Sequence, residues 1–149
     1  MSLEHTRALL AHKHLVGSRL TTLASHLVTR ALVHDDSKFS DEEYAGFEEM
    51  HKRLYETIYG SEEYRATIRE FKPEVQHHYE HNHHHPEHYQ NGIAGMTLLD
   101  LIEMLCDWAA SSTRQKDGDL RRSLPINVDR FKIDPQLASI LENTIETYF

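Results

Sequence analysis

Disulfide chemistry is the first thing this sequence lacks. Its one cysteine, Cys106, cannot pair within the chain, so no disulfide staples the fold and a reducing cytoplasm is the expected home. No apolar run approaches the roughly 20 residues that span a bilayer, and no secretory leader is visible, so a soluble protein with no membrane partner is expected. Blocks of Lys and Arg are missing as well. With a formal charge of -8, the chain is not expected to have a general affinity for the nucleic-acid backbone. Strand signals are also absent: nowhere do apolar and polar residues alternate over the length of a strand. Histidine, by contrast, is in excess, with thirteen in 149 residues, a length that suits one domain, here 1–149, around a single core.

Helical signals fill the space left by the missing strands. From Glu4 to about Thr29 the apolar positions Leu9, Leu10, Leu15, Val16, Leu20, Leu23, Leu27 and Val28 recur at helical spacing, predicting a long amphipathic helix. Ser40-Asp41-Glu42-Glu43 matches a capping box and predicts a helix to about Tyr59 that ends at Gly60. In that reading Ser40 and Glu43 are structural. Ser61 caps a short helix containing Tyr64, Ile68 and Phe71, and Pro73 opens another through about His81. Asn82 to Gly95 reads as a loop, Thr97 to Asp100 as a cap leading a helix to about Ser112, and Asp117-Gly118-Asp119 as a turn. Asp134-Pro135 caps a last helix with Leu137, Ile140, Leu141 and Ile145. The fold expected is all-α, of roughly six or seven helices.

Against this background the dipeptide His34-Asp35, led in by Ala31-Leu32-Val33, reads as half of a metal site. The other half is expected from His12 upstream, from the segment between His77 and His88, and from Asp107, a carboxylate between Cys106 and Trp108 that is costly to bury unless paired or metal-bound. Mixed imidazole and carboxylate donors suit Mn, Fe, Ni, Co or Zn better than Ca or Mg. Asp100, Glu103 and Asp107 share one helix face, where Asp100 reads as part of a solvated acidic stripe. A phosphate-bearing small molecule is the partner such a centre could recruit, helped by cations such as Lys38, Lys52, Arg53 or Arg114.

A His, then His-Asp, then a distant Asp, all on helices, resembles the HD-domain superfamily of metal-dependent phosphohydrolases. The likeness extends to its two-metal variants through Lys38, His77 or His78, and the pair His84-His85, in that order. The segment from Asn82 to Trp108 also resembles a small, poorly characterised family of bacterial and phage proteins, a similarity that covers nearly the whole chain. The gap from His12 to His34 is shorter than is usual in the superfamily, and His14 rivals His12 as first ligand. Val16 favours His12 by completing a His-x-x-x-Val start.

The resemblance implies an HD-like helical bundle with one or two divalent transition-metal ions held by His12, His34, Asp35, His78, His84, His85 and Asp107. His81, His83 and His88 then read as surface histidines. It further implies hydrolysis of a nucleotide or other small phosphate ester by an acidified water. Asp35 would align that water, Lys38 would stabilise developing negative charge, and His84 or His85 would bind the second ion or protonate the leaving oxygen. Glu87 is a candidate to orient a histidine ring. Two other readings stand beside it: a non-catalytic metal-binding or adaptor module on the same fold, and oxidative di-iron chemistry. A homodimer through the first or last helix is compatible with each.

Overall fold

Helical periodicity prevails along the chain, as its pattern of apolar residues requires. The computed structural model describes residues 2–114 and 118–149. These form seven α-helices: α1 (Leu3–Val33), α2 (Tyr44–Leu54), α3 (Glu62–Glu70), α4 (Lys72–His81), α5 (Leu98–Ser112), α6 (Leu120–Phe131) and α7 (Pro135–Tyr148). Short 3-10 turns occur at Asp36–Phe39, Pro86–His88 and Gly92–Gly95, and no strand is found among the described residues. The all-α expectation holds. No helix among the described residues is long and apolar enough to cross a membrane.

Contacts divide the chain into two units, Met1–His34 and Asp35–Phe149. The first unit is α1. Ser2 caps it by accepting from the His5 backbone N–H at 3.2 Å, Glu4 lies in its first turn and Arg30 in its last, each sign matched to the helix dipole. Thr21, Thr22 and Thr29 donate their hydroxyls to carbonyls one turn back, so these polar groups are satisfied inside the helix.

The second unit is built on two apolar clusters. Phe47, Met50 and Leu54 of α2 pack with Val75 of α4, flanked by Tyr64, Ile68, Phe71 and Tyr79. Leu105 of α5, Leu120 and Leu124 of α6, Ile133, and Leu141 and Ile145 of α7 make the other, with Trp108 stacked on Phe131 at 6.0 Å. Burial of these side chains supplies most of the drive to fold, at about 1.5–3 kcal/mol for each large apolar group.

Local signals fared unevenly. Ser61 accepts from the Tyr64 N–H and Pro73 lies in the first turn of α4, both as expected, whereas Gly60 does not end α2 but takes φ +73 in the turn before α3. Thr97 and Asp100 form a complete capping box. The Ser40–Glu43 box does not form. Helix α2 starts at Tyr44 and ends at Leu54, and Glu43 makes no cap hydrogen bond because its carboxylate is engaged by histidines of α4. The unpredicted helix is α6, which carries Pro125 in its interior. Packing of Leu120 and Leu124 into the core overrides the hydrogen bond that proline cannot make. Of the expected turn at Asp117-Gly118-Asp119, Asp117 lies outside the described residues, while Asp119 caps α6 through the Arg121 N–H.

Asp100 corrects a second expectation. It is 1% exposed, not solvated, and one carboxylate oxygen accepts from the Thr97 N–H and hydroxyl, both at 2.6 Å, and from the Tyr89 hydroxyl at 3.0 Å. Asp100→Ala is therefore expected to destabilise the protein by about 1–3 kcal/mol, because three donors lose their acceptor at once. Urea unfolding would measure this. A loss under about 0.5 kcal/mol, typical of a surface substitution, would mean that the box contributes nothing.

Candidate metal centre

Asp35 stands where the chain turns out of α1, and it adopts the left-handed conformation, φ 60 and ψ 18. Aspartate tolerates this region better than branched residues do, but it still stores strain, a feature common at functional sites. The tight 3-10 turn that follows brings Lys38 back onto Asp35, with Nζ 2.6 Å from Oδ2. With that oxygen engaged, Oδ1 faces the opposite way, toward two histidines. Nε2 of His78 and Nε2 of His84 each lie 3.4 Å from Asp35 Oδ1.

His78 comes from α4 and is 3% exposed; His84 comes from the loop behind α4 and is 1% exposed. His85, next in the chain, places its Nε2 2.9 Å from that of His78. One donor atom each from Asp35, His78, His84 and His85 thus converges, all within 4.8 Å of one another. Donors sharing one ion at about 2.1 Å stand about 3.0 Å apart when adjacent in an octahedron and about 3.4 Å apart in a tetrahedron. The observed separations of 2.9, 3.4 and 3.4 Å fall on these edges, so the residues present fit a first-row divalent metal ion.

Two carboxylates stand behind the rings. Glu43, fully buried, accepts from Nδ1 of His77 at 2.7 Å through one oxygen and from Nδ1 of His78 at 2.9 Å through the other. Glu103 of α5 lies 3.3 Å from Nδ1 of His84. A carboxylate beside Nδ1 holds the ring proton there and leaves the Nε2 lone pair directed into the cluster, the tautomer a metal requires. Ser37 and Asn82 complete the setting of His78: the Asn82 amide donates to the Ser37 hydroxyl at 2.7 Å and to the His78 carbonyl at 2.8 Å.

Charge state agrees with geometry. Burial, reinforced by Lys38, pushes the pKa of His78 below the usual histidine value, and burial with His84 and His78 close by pushes His85 well below it. A lowered pKa favours the neutral imidazole, the form that ligates.

Of the sequence-predicted ligands, Asp35, His78, His84 and His85 come together, and Asp107 brings a carboxylate oxygen within 4.8 Å of one of Asp35. His12 is exposed on α1, and His34 is the C-cap of that helix, both in the first unit. His77 turns to Glu43 and stacks on His81 at 4.0 Å, while the His83 and His88 rings meet at a tilt, 4.3 Å apart. Glu87 does not orient a histidine; it pairs with Arg130 at 2.6 Å.

Residues 1–147 match a family whose description is "Family of unknown function (DUF5662)". The chain belongs to this family. No curated protein and no solved structure matches it. The family contributes no activity, so the chemistry must be argued from the centre. Glu43 is the residue that sequence reasoning misassigned. The one signal pointing to it was its place before α2 among acidic residues, and that signal fits a cap equally well.

Proposed function

We propose that this protein is a metal-dependent phosphohydrolase acting on a nucleotide or other small phosphate ester. The observation that carries the reading is the convergence of three imidazole nitrogens on Asp35, with the Lys38 ammonium 2.6 Å from the other oxygen of that carboxylate. The order His34-Asp35, Lys38, His78, His84-His85, Asp107 supports an HD-type centre holding one or two ions.

A divalent transition-metal ion held there would supply an acidified water as nucleophile and neutralise charge on the phosphoryl oxygens. The reaction adds water to phosphorus and breaks the bond to the ester oxygen, which takes up a proton and leaves as the alcohol. Asp35, braced by Lys38, orients the nucleophile. Lys38 lines the neighbouring cavity as well, so its charge can meet the phosphoryl oxygens there. His84, held by Glu103, serves as a fixed ligand, whereas His85 and Asp107 reach the cavity wall.

The test compares metal content and phosphate release in wild type and His84→Ala. Wild type should carry at least one ion per chain and hydrolyse phosphate esters, and the variant should fall below about a tenth on both counts, as expected when a ligand is lost. Unchanged metal in His84→Ala would remove the centre from consideration. Metal without turnover of any phosphate ester would leave a non-catalytic metal-binding module.

A further inference from the structure

A cavity of about 1070 Å³ opens beside the metal cluster and runs between the two apolar clusters of the second unit, walled by α2 to α6. Its wall combines two kinds of chemistry. One part is polar, with Lys38, His51 and Arg114 beside His85 and Asp107. The rest of the wall is aromatic and aliphatic: Tyr59 and Tyr64 meet edge to face at 5.0 Å, with Trp108 and Ile126 also on the wall. The Tyr59 hydroxyl donates to Asn127 at 2.7 Å, and burial pushes the Tyr64 phenol up, so the Tyr64 ring stays neutral.

Resting on the phosphohydrolase reading, we infer that this cavity holds the body of the substrate. Lys38, His51 and Arg114 form an anion subsite beside the metal cluster, and the tyrosines with Trp108 receive a flat, ring-bearing alcohol group. Proximity of the three basic groups is supported by His51, whose pKa is lowered by desolvation and then by the charges of Lys38 and Arg114. Lys38 and Arg114 bring two positive charges to a wall that also carries Glu56, Asp107 and Asp119, with His51 as a neutral hydrogen-bonding ring between them, and they face a volume of the size that ligand pockets occupy. An aliphatic ester would leave the aromatic wall facing only water. A ring-bearing ester would bury its apolar face there and so gain affinity.

Trp108 is the chain's only tryptophan, so its fluorescence reports on the cavity without requiring turnover. The manganese-loaded full-length protein is titrated with phenyl phosphate, glycerol phosphate and inorganic phosphate. Phenyl phosphate should give a saturable change and bind at least about tenfold tighter than glycerol phosphate, as ring burial predicts. Arg114→Gln, at an exposed position, should weaken both esters about tenfold, the size of one charge-assisted contact. Ile126→Phe, which fills the space beside the aromatic wall, should bring phenyl phosphate down to the level of glycerol phosphate while leaving the latter unchanged.

Equal binding of the two esters, no binding of either, or no effect of Ile126→Phe would overturn the inference. The expected pattern without phosphate release would uphold the pocket and remove the hydrolase reading. Turnover without discrimination would do the reverse.

Discussion

Chelating the metal from the loaded protein is expected to lower its Tm by on the order of 10 °C. A ligand bound only by the folded state stabilises it by about 4 kcal/mol when present at a thousand times its Kd. For a chain of this size each kcal/mol corresponds to roughly 2–4 °C. Linkage is strong here because the donors are built before the ion arrives. His78 and His84 are buried, both are backed by carboxylates, and Asp35 is held in a left-handed turn by its own backbone and by Lys38. Asp35→Asn keeps the shape and the tolerance for φ 60 but removes the charge, and His84→Ala removes a donor. Both variants should show nearly the same Tm with and without chelator. Thermal unfolding with and without EDTA reads all three proteins, and a metal-loaded wild type indifferent to EDTA would contradict the coupling of ion to fold.

The second large effect is expected at Glu43, a residue that meets His78 at Nδ1 and not at the Nε2 that faces the cluster. Both of its oxygens are engaged, one by each of two adjacent histidines, and none of its surface reaches water. Glu43→Gln presents an amide N–H to one ring where a carboxylate stood, which favours the tautomer whose proton sits on Nε2. Metal affinity should drop about 10- to 100-fold with the fold retained, the usual cost of losing a ligand's hydrogen-bond partner. In a His78→Ala background the same substitution should cost little further affinity, because the ring it orients is gone. Glu43→Ala, which leaves the buried His78 and the half-buried His77 without their acceptor, is expected to destabilise by about 1–3 kcal/mol. Competition titration with a chelating dye measures the first two values. Unaltered affinity in a folded Glu43→Gln would assign the residue to structure alone.

Much of the fold was legible because its signals are local. The periodic leucines of α1, the Ser61 cap, Pro73 at the start of α4 and the Thr97–Asp100 box each involve residues within a few positions of one another. Helix α6 was illegible for the opposite reason. Pro125 argues against a helix locally, and the contacts that outvote it, to α5 and α7, come from other parts of the chain. Asp100 shows the same limit: its spacing with Glu103 and Asp107 on one face is equally that of a solvated stripe, and its acceptance from Tyr89 depends on how the preceding loop folds back.

The candidate site divides along the same line. Residue types in order were enough to single out Asp35, His84, His85 and Asp107 and to suggest a transition metal, since donor chemistry is a property of side chains. Which face of α4 turns inward, and therefore that His78 joins the cluster while His77 pairs with Glu43, depends on packing. So does the conversion of Glu43 and Glu103 from helix carboxylates into supports for imidazole rings. By itself the sequence determined an all-helical chain rich in metal-binding side chains, because periodicity and donor type are written one residue at a time. Only the tertiary structure decided which donors share a centre, which carboxylates hold them and what cavity they border, because those are distances between segments that composition and spacing do not contain.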